Sequence, residues 1–520
     1  MFFSELPSEI VLLIAKQFES EKDISSLMRT STRNYQLLLL FLYKHNIDFS
    51  SGSALIWCLR HECESEVRLL LELGANAQDG EYCLSTTSRL LPAGDALGPL
   101  HFAKNETMAK LLLDNGAQVD HSPMNWGTPL HVAVDQGNLA LAKFLLENKA
   151  DVNSSNLKGG TPLQIAAEKG DLALAKLLLD HGADVDTNDR PTAWRYFMTD
   201  HGYYGTPLHL AVSHNYDTCF DMTKLFLEHR VELEKTDSDG ATPLHVAAGI
   251  CSLSTIKLLL ENGAVASVRN QQLNTPLASA ARRENSDVAK LLLDHGALAE
   301  TRSRRGCTPL HQAASVGCSA TVELLLTHSA QVNVPDDAGI TPLHLAAGQP
   351  DLDILKLLID HGAHLNAEDG RGSRPLDYAM ARNVLTSAEL LLIRGAEVNF
   401  HGDDGATLLH HAAEGNVAAT KLLLKHGALV DAQDSNGLTP LCDAIRHGCL
   451  ATAEVLFCYG AQVNTQDKDG ITPLHEAARH SNVAMIMLLI GRGAPVDVKD
   501  NLGVTAFDEL AIRGIWDAMI

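Results

Sequence analysis

Between residues 341 and 373 the apolar positions follow one short pattern twice, with a break between. Leu343, Ala346 and Ala347 fall three and four apart, as on one face of a short helix. Thr341 can cap that helix while Pro342 fills its first turn, where the missing N–H costs nothing. A second apolar stretch, Ile354-Leu355-Lys356-Leu357-Leu358-Ile359, predicts a second helix, and Gly362 supplies the left-handed residue that ends it. Asp369-Gly370 then turns the chain toward the next copy. Neither helix is long enough to stand alone, so the pattern predicts pairs that bury their apolar faces on neighbouring pairs.

The pattern repeats along most of the chain. Aligned on the threonine, its copies begin at 53, 98, 128, 161, 206, 242, 275, 308, 341, 374, 407, 439, 472 and 505. A period of 33 residues carrying Thr-Pro-Leu-His-x-Ala resembles the ankyrin repeat over residues 50–520. The resemblance implies an all-α solenoid of about thirteen full units and a C-terminal half unit. Two longer gaps mark insertions at about 80–96 and 187–204. Several copies depart from the phrase: Gly98-Pro99-Leu100-His101, Arg374-Pro375-Leu376-Asp377, and Leu408 in place of the proline.

Composition narrows the function. Formal charge is −23 and apolar residues make up 45% of the chain. Such a surface repels phosphate backbones and anionic headgroups, so neither nucleic acid nor membrane is an expected partner. No apolar run approaches bilayer length, and the start, with Glu5, Pro7 and Glu9, does not read as a signal peptide. Ten cysteines without a CxxC pair read as reduced, mostly packed thiols of a cytoplasmic or nuclear protein. The 24 histidines fall mainly at two repeat positions, the fourth of the Thr-Pro-Leu-His phrase and just before the Gly-Ala cap. The first resembles the ankyrin histidine that bonds the threonine and the hairpin backbone; the second suits a helix C-terminus. His475-Glu476-Ala477-Ala478-Arg479-His480 is one residue too long for a zinc helix. No phosphate loop, nucleophile elbow or acid–base cluster is legible, so the expectation is a non-enzyme with no catalytic residue, metal or cofactor.

The first 49 residues do not repeat. Leu6-Pro7-Ser8-Glu9-Ile10, then Ile14, Phe18, Asp23-Ile24-Ser25-Ser26-Leu27 and Thr30-Ser31-Thr32-Arg33, resemble an F-box, a three-helix domain. Tyr35 stands where many F-boxes carry tryptophan. An alternative reading is an N-terminal cap of the solenoid. An F-box on ankyrin repeats resembles the substrate receptor of an SCF-type ubiquitin ligase, with fungal proteins closest in layout. The resemblance implies docking on the Skp adaptor, and through it the cullin complex, by Leu6, Pro7, Glu9, Ile10, Ile14 and Leu27. The repeats would then hold a target protein. An ankyrin scaffold without a ligase role is the alternative.

Two segments stand out as target-binding candidates. The second insertion carries Trp194, Tyr196 and Phe197, aromatics of the kind that anchor interfaces. Between Val265 and Leu310 the charge inverts, with seven basic residues against four acidic ones. Arg269, Arg302, Arg304 and Arg305 fall in two successive hairpins, and Arg282 and Arg283 end the helix between them. Ankyrin hairpins resemble fingers along one groove, and arginine forks suit an acidic or phosphorylated segment.

Overall fold

The computed structural model describes residues 53–78, 81–82, 96–123, 127–156, 160–188, 205–213 and 218–512. The F-box-like segment 1–49, the core of both insertions and the last eight residues lie outside the described residues. The chain divides into two compact units, Met1–Gln271 and Gln272–Ile520.

In the first unit, the described helices form six successive pairs from Ser53–Arg60 with Glu64–Glu72 to Pro243–Ile250 with Leu253–Glu261. The second unit holds seven pairs, from Pro276–Arg282 with Ser286–Asp294 to Pro473–Arg479 with Val483–Gly491, then the single helix Ala506–Ile512. Among the described residues, then, the expected thirteen repeats and a half are present. Among the described residues, strand pairing is confined to a two-residue antiparallel ladder at the ends of the first insertion, where Glu81 pairs with Leu97 and Tyr82 with Ala96, and to two isolated antiparallel bridges, His401 with Thr407 and Lys499 with Thr505. The ladder holds the two ends of the insertion side by side.

Each repeat folds for local reasons. Thr308 sits extended at φ −93° and ψ 167°, and Pro309 opens the inner helix Pro309–Val316. Gly317, at φ +94°, ends it in the left-handed region. Asparagines and aspartates start many outer helices: the Asn285 side chain accepts from Val288 N–H and that of Asn416 from Ala419 N–H. Packing then fixes the stack. Leu310, Ala313, Ala314, Val322 and Leu325 are all fully buried. The alanines let Pro309–Val316 pack between Pro276–Arg282 and Pro342–Ala347.

Successive hairpins in the second unit are stitched by backbone hydrogen bonds. Arg304 N–H donates to Gln272 O at 2.8 Å, Asp337 N–H to Arg305 O at 3.0 Å and Gly370 N–H to Ala338 O at 2.7 Å. The series resumes with Ser435 to Asp404 at 2.9 Å and Lys468 to Asn436 at 3.0 Å. Among the described residues no such bond joins the hairpin at 369–373 to the one at 402–406.

The second repeat departs where its threonine is missing. With Gly98 in the threonine place, Pro99–Phe102 is a 3-10 turn and not an α-helix.

Candidate protein-binding surface

The repeat histidines are structural. In the ninth repeat the Thr341 N–H donates to His344 Nδ1 at 3.1 Å, and the Thr341 hydroxyl lies 2.8 Å from the same nitrogen. Nδ1 is therefore an acceptor, which leaves the hydrogen on Nε2, 3.1 Å from Ser373 O in the next hairpin. His131, His209, His311, His410 and His475 reach the following hairpins in the same way. Burial holds His101, His131, His209, His311, His344 and His410 below the usual histidine range, His101 at about 4. The second class also behaves as expected: Nδ1 of His181, His295 and His361 meets the carbonyl four residues back at 2.8–2.9 Å. Both ring nitrogens of His475 are engaged, with Thr472 and Val504 O, so the HExxxH-like string holds no free ligand pair.

The arginine cluster is exposed. Arg269 lies in the first unit; Arg282, Arg283, Arg302, Arg304 and Arg305 lie in the second, all on the surface. Arg282 ends the inner helix Pro276–Arg282 and Arg283 caps it. Arg304 and Arg305 stand at the hairpin tip, where their backbones form two rungs of the stitching described above. One member is neutralised locally. Arg302 donates to Pro335 O at 2.7 Å and lies 3.8 Å from Asp337. Among the described residues Arg282, Arg283, Arg304 and Arg305 form no ion pair, although the chain carries 64 carboxylates. The aromatic candidates Trp194, Tyr196 and Phe197, and the adaptor-binding set from Leu6 to Leu27, lie outside the described residues.

A second feature arises at the tenth repeat, where Arg374 replaces the threonine. Asp377 takes over the histidine's role: its carboxylate accepts from Arg374 N–H at 2.6 Å. The Arg374 guanidinium bridges Glu368 at 3.0 Å and Glu397 at 2.6 Å and stacks 3.6 Å from the Phe400 ring centre. The pairs are charge-assisted on a side chain only 12% exposed. Tyr378 donates to Asp369 at 2.9 Å, and burial with that bond pushes its hydroxyl up to about 12. The stitching breaks on the far side of this arrangement. A cleft of about 400 Å³ opens there between Arg371, Met380, Phe400, Leu408 and His411. The sequence shows Arg374 and Leu408 as departures from the phrase, but it carries no sign that they flank a cleft.

Further along, charged side chains run across successive inner helices. Arg446 pairs with Glu476, His480 lies 3.5 Å from Glu476, and Arg479 reaches Glu509 at 3.0 Å and Asp500 at 3.7 Å. Asp443, partly buried on the same face, is pushed up to about 6 by desolvation.

Family profiles described as ankyrin repeats match residues 77–156, 100–189, 191–270, 251–336 and 376–467 in three-copy form. A many-copy profile matches 324–379 and a single-repeat profile 469–501. The chain belongs to the ankyrin-repeat family. No curated protein matches it. Ankyrin stacks are protein-interaction modules, and this surface fits that use: rigid helices carrying exposed, chemically varied hairpins. No described helix is long and apolar enough to cross a membrane.

Proposed function

We propose that this protein is the substrate receptor of an SCF-type ubiquitin ligase. Its N-terminal segment docks on the Skp adaptor, and its ankyrin repeats hold a target protein. The observation that carries the reading is the ordered run Leu6-Pro7-Ser8-Glu9-Ile10, Ile14, Leu27 and Thr30-Ser31 placed directly before a full ankyrin array. The receptor supplies no catalytic group. It raises the effective concentration of a target lysine beside a charged ubiquitin-conjugating enzyme.

Adaptor capture tests the docking half. The intact chain should retain the Skp adaptor. Ile10→Glu, which forces an unpaired charge into an apolar contact, should abolish retention and leave the helical circular dichroism unchanged. Failure of the folded, intact chain to bind would leave an ankyrin scaffold with an N-terminal cap.

On the target side, the reading places recognition at Arg269, Arg282, Arg283, Arg302, Arg304 and Arg305, with Trp194, Tyr196 and Phe197 as aromatic anchors. The target then presents an acidic or phosphorylated segment. Arg282, Arg283, Arg304 and Arg305 are exposed and form no ion pair among the described residues of so acidic a chain, which supports this. Replacing Arg302, Arg304 and Arg305 together by Ala should weaken target binding about tenfold or more and flatten its salt dependence. Unchanged affinity at low salt in the folded variant would remove the patch from the recognition surface.

A further inference from the structure

Cys219 opens the outer helix Cys219–Glu228, and Cys251 ends the inner helix Pro243–Ile250 of the following repeat. Their sulfurs lie 3.2 Å apart. Both side chains are buried, 6% and 4% exposed. All nine described cysteines are free thiols, and this is the one thiol–thiol contact among them.

The contact follows from a local break in the repeat. At the position of Cys251 other repeats place a left-handed residue, as at Gly170, Glu284, Gly317 and Gly448. Cys251 is extended instead, at φ −78° and ψ 164°. Its sulfur lies against Cys219 and 3.2 Å from Val212 O in the preceding inner helix. The surroundings divide the two thiols chemically. The contact with Cys251, with help from Thr255 and Thr223, draws the Cys219 thiol below its usual range, while the same contact and burial drive Cys251 upward. One sulfur is thus disposed to be thiolate and its neighbour to keep its proton.

We propose that Cys219 and Cys251 form an oxidation site for hydrogen peroxide, closing to a disulfide that ties the fifth repeat to the sixth. The Cys219 thiolate attacks one peroxide oxygen and the O–O bond breaks. The leaving hydroxide takes up the proton that Cys219 released and departs as water, leaving a sulfenic acid. The Cys251 sulfur then attacks the Cys219 sulfur and the S–O bond breaks. The departing oxygen carries off the Cys251 proton as a second water. Two electrons pass from the thiols to one peroxide. Closing to a bonded distance needs the sulfurs to approach by only about 1 Å. Burial favours an oxidant as small as peroxide, admitted when the repeat opens locally. The product removes that opening, since the helices can no longer separate.

The test uses the purified full chain exposed to a modest excess of hydrogen peroxide, then unfolded, alkylated, digested and weighed. A linked peptide pair containing Cys219 and Cys251 should appear, about 2 Da lighter than the two reduced peptides together, and dithiothreitol should dissolve it. In Cys251→Ser the link should vanish and Cys219 should become reactive toward dimedone. If Cys219 and Cys251 stay fully alkylatable in the parent chain while the exposed Cys458 is oxidised, the proposal fails. The parent chain alone decides between these outcomes, whatever the folding of the variant.

Discussion

As pH falls below about 6.5, this protein should lose stability steeply. Six buried histidines are neutral in the fold and held below the ordinary histidine value, chiefly by desolvation. The unfolded chain therefore binds protons first as pH drops. The stability these groups provide is complete above their unfolded pKa and is lost as pH falls through that value toward the folded one, about 4 for His101. Each contributes a slope of up to about 1.4 kcal/mol per pH unit. The geometry explains why the fold resists the proton: Nδ1 of His344 already accepts from Thr341 N–H, and protonation would set donor against donor. The fourth repeat contains the control. There Gln164 stands in the histidine place, accepting from Thr161 N–H at 2.8 Å and donating to Gly205 O at 2.8 Å, with nothing to titrate. His344→Gln should hold stability at pH 7.5 to within about 1 kcal/mol and flatten the acid slope, whereas His344→Ala should cost about 1–3 kcal/mol at that pH. Denaturant midpoints from pH 7.5 to 5 check both. Neutralisation of carboxylates acts on all three chains alike, so the difference between parent and variant isolates the histidine. Equal slopes in the parent and His344→Gln would refute the account.

The second large effect concerns the stack. Leu325, fully buried in the outer helix Ser319–Thr327, packs where no solvent reaches. Leu325→Ala should destabilise the second unit by about 2–5 kcal/mol, the loss of transfer energy plus a cavity that neighbouring helices fill only in part. Leu298 is 61% exposed, and Leu298→Ala should change stability by less than about 0.5 kcal/mol. Since repeats depend mainly on nearest neighbours, hydrogen exchange in Leu325→Ala should quicken first in Pro309–Val316 and the pairs beside it. Loss spread evenly over the whole chain would contradict that locality.

Why these outcomes are legible from sequence, and others are not, has a physical basis. A 33-residue period fixes which alanines and leucines face inward, so the helix pairs, the histidine network and the helix-end histidines follow from one copy. Contacts made by departures from the period do not follow. Arg374 breaks the phrase visibly, yet its bridge to Glu368 and Glu397 depends on side chains from two hairpins. Cys219 and Cys251 occupy different positions of their repeats, so no spacing rule pairs them; they meet because Cys251 leaves the left-handed path its counterparts take. The arginine cluster is visible in sequence as a charge inversion, but which guanidiniums lack ion-pair partners depends on side-chain placement across hairpins. The F-box-like segment and the aromatic insertion lie outside the described residues, and their roles rest on the residues themselves.

Affinity purification from cells treated with a proteasome inhibitor, comparing the intact chain with Ile10→Glu, tests the receptor claim most directly. The intact chain should bring down the Skp adaptor and the cullin together with its target proteins. Ile10→Glu should lose adaptor and cullin while keeping the same targets, because the receptor reading assigns docking and target capture to different segments. Targets recovered equally by both chains, with neither adaptor nor cullin on the intact one, would contradict the receptor reading.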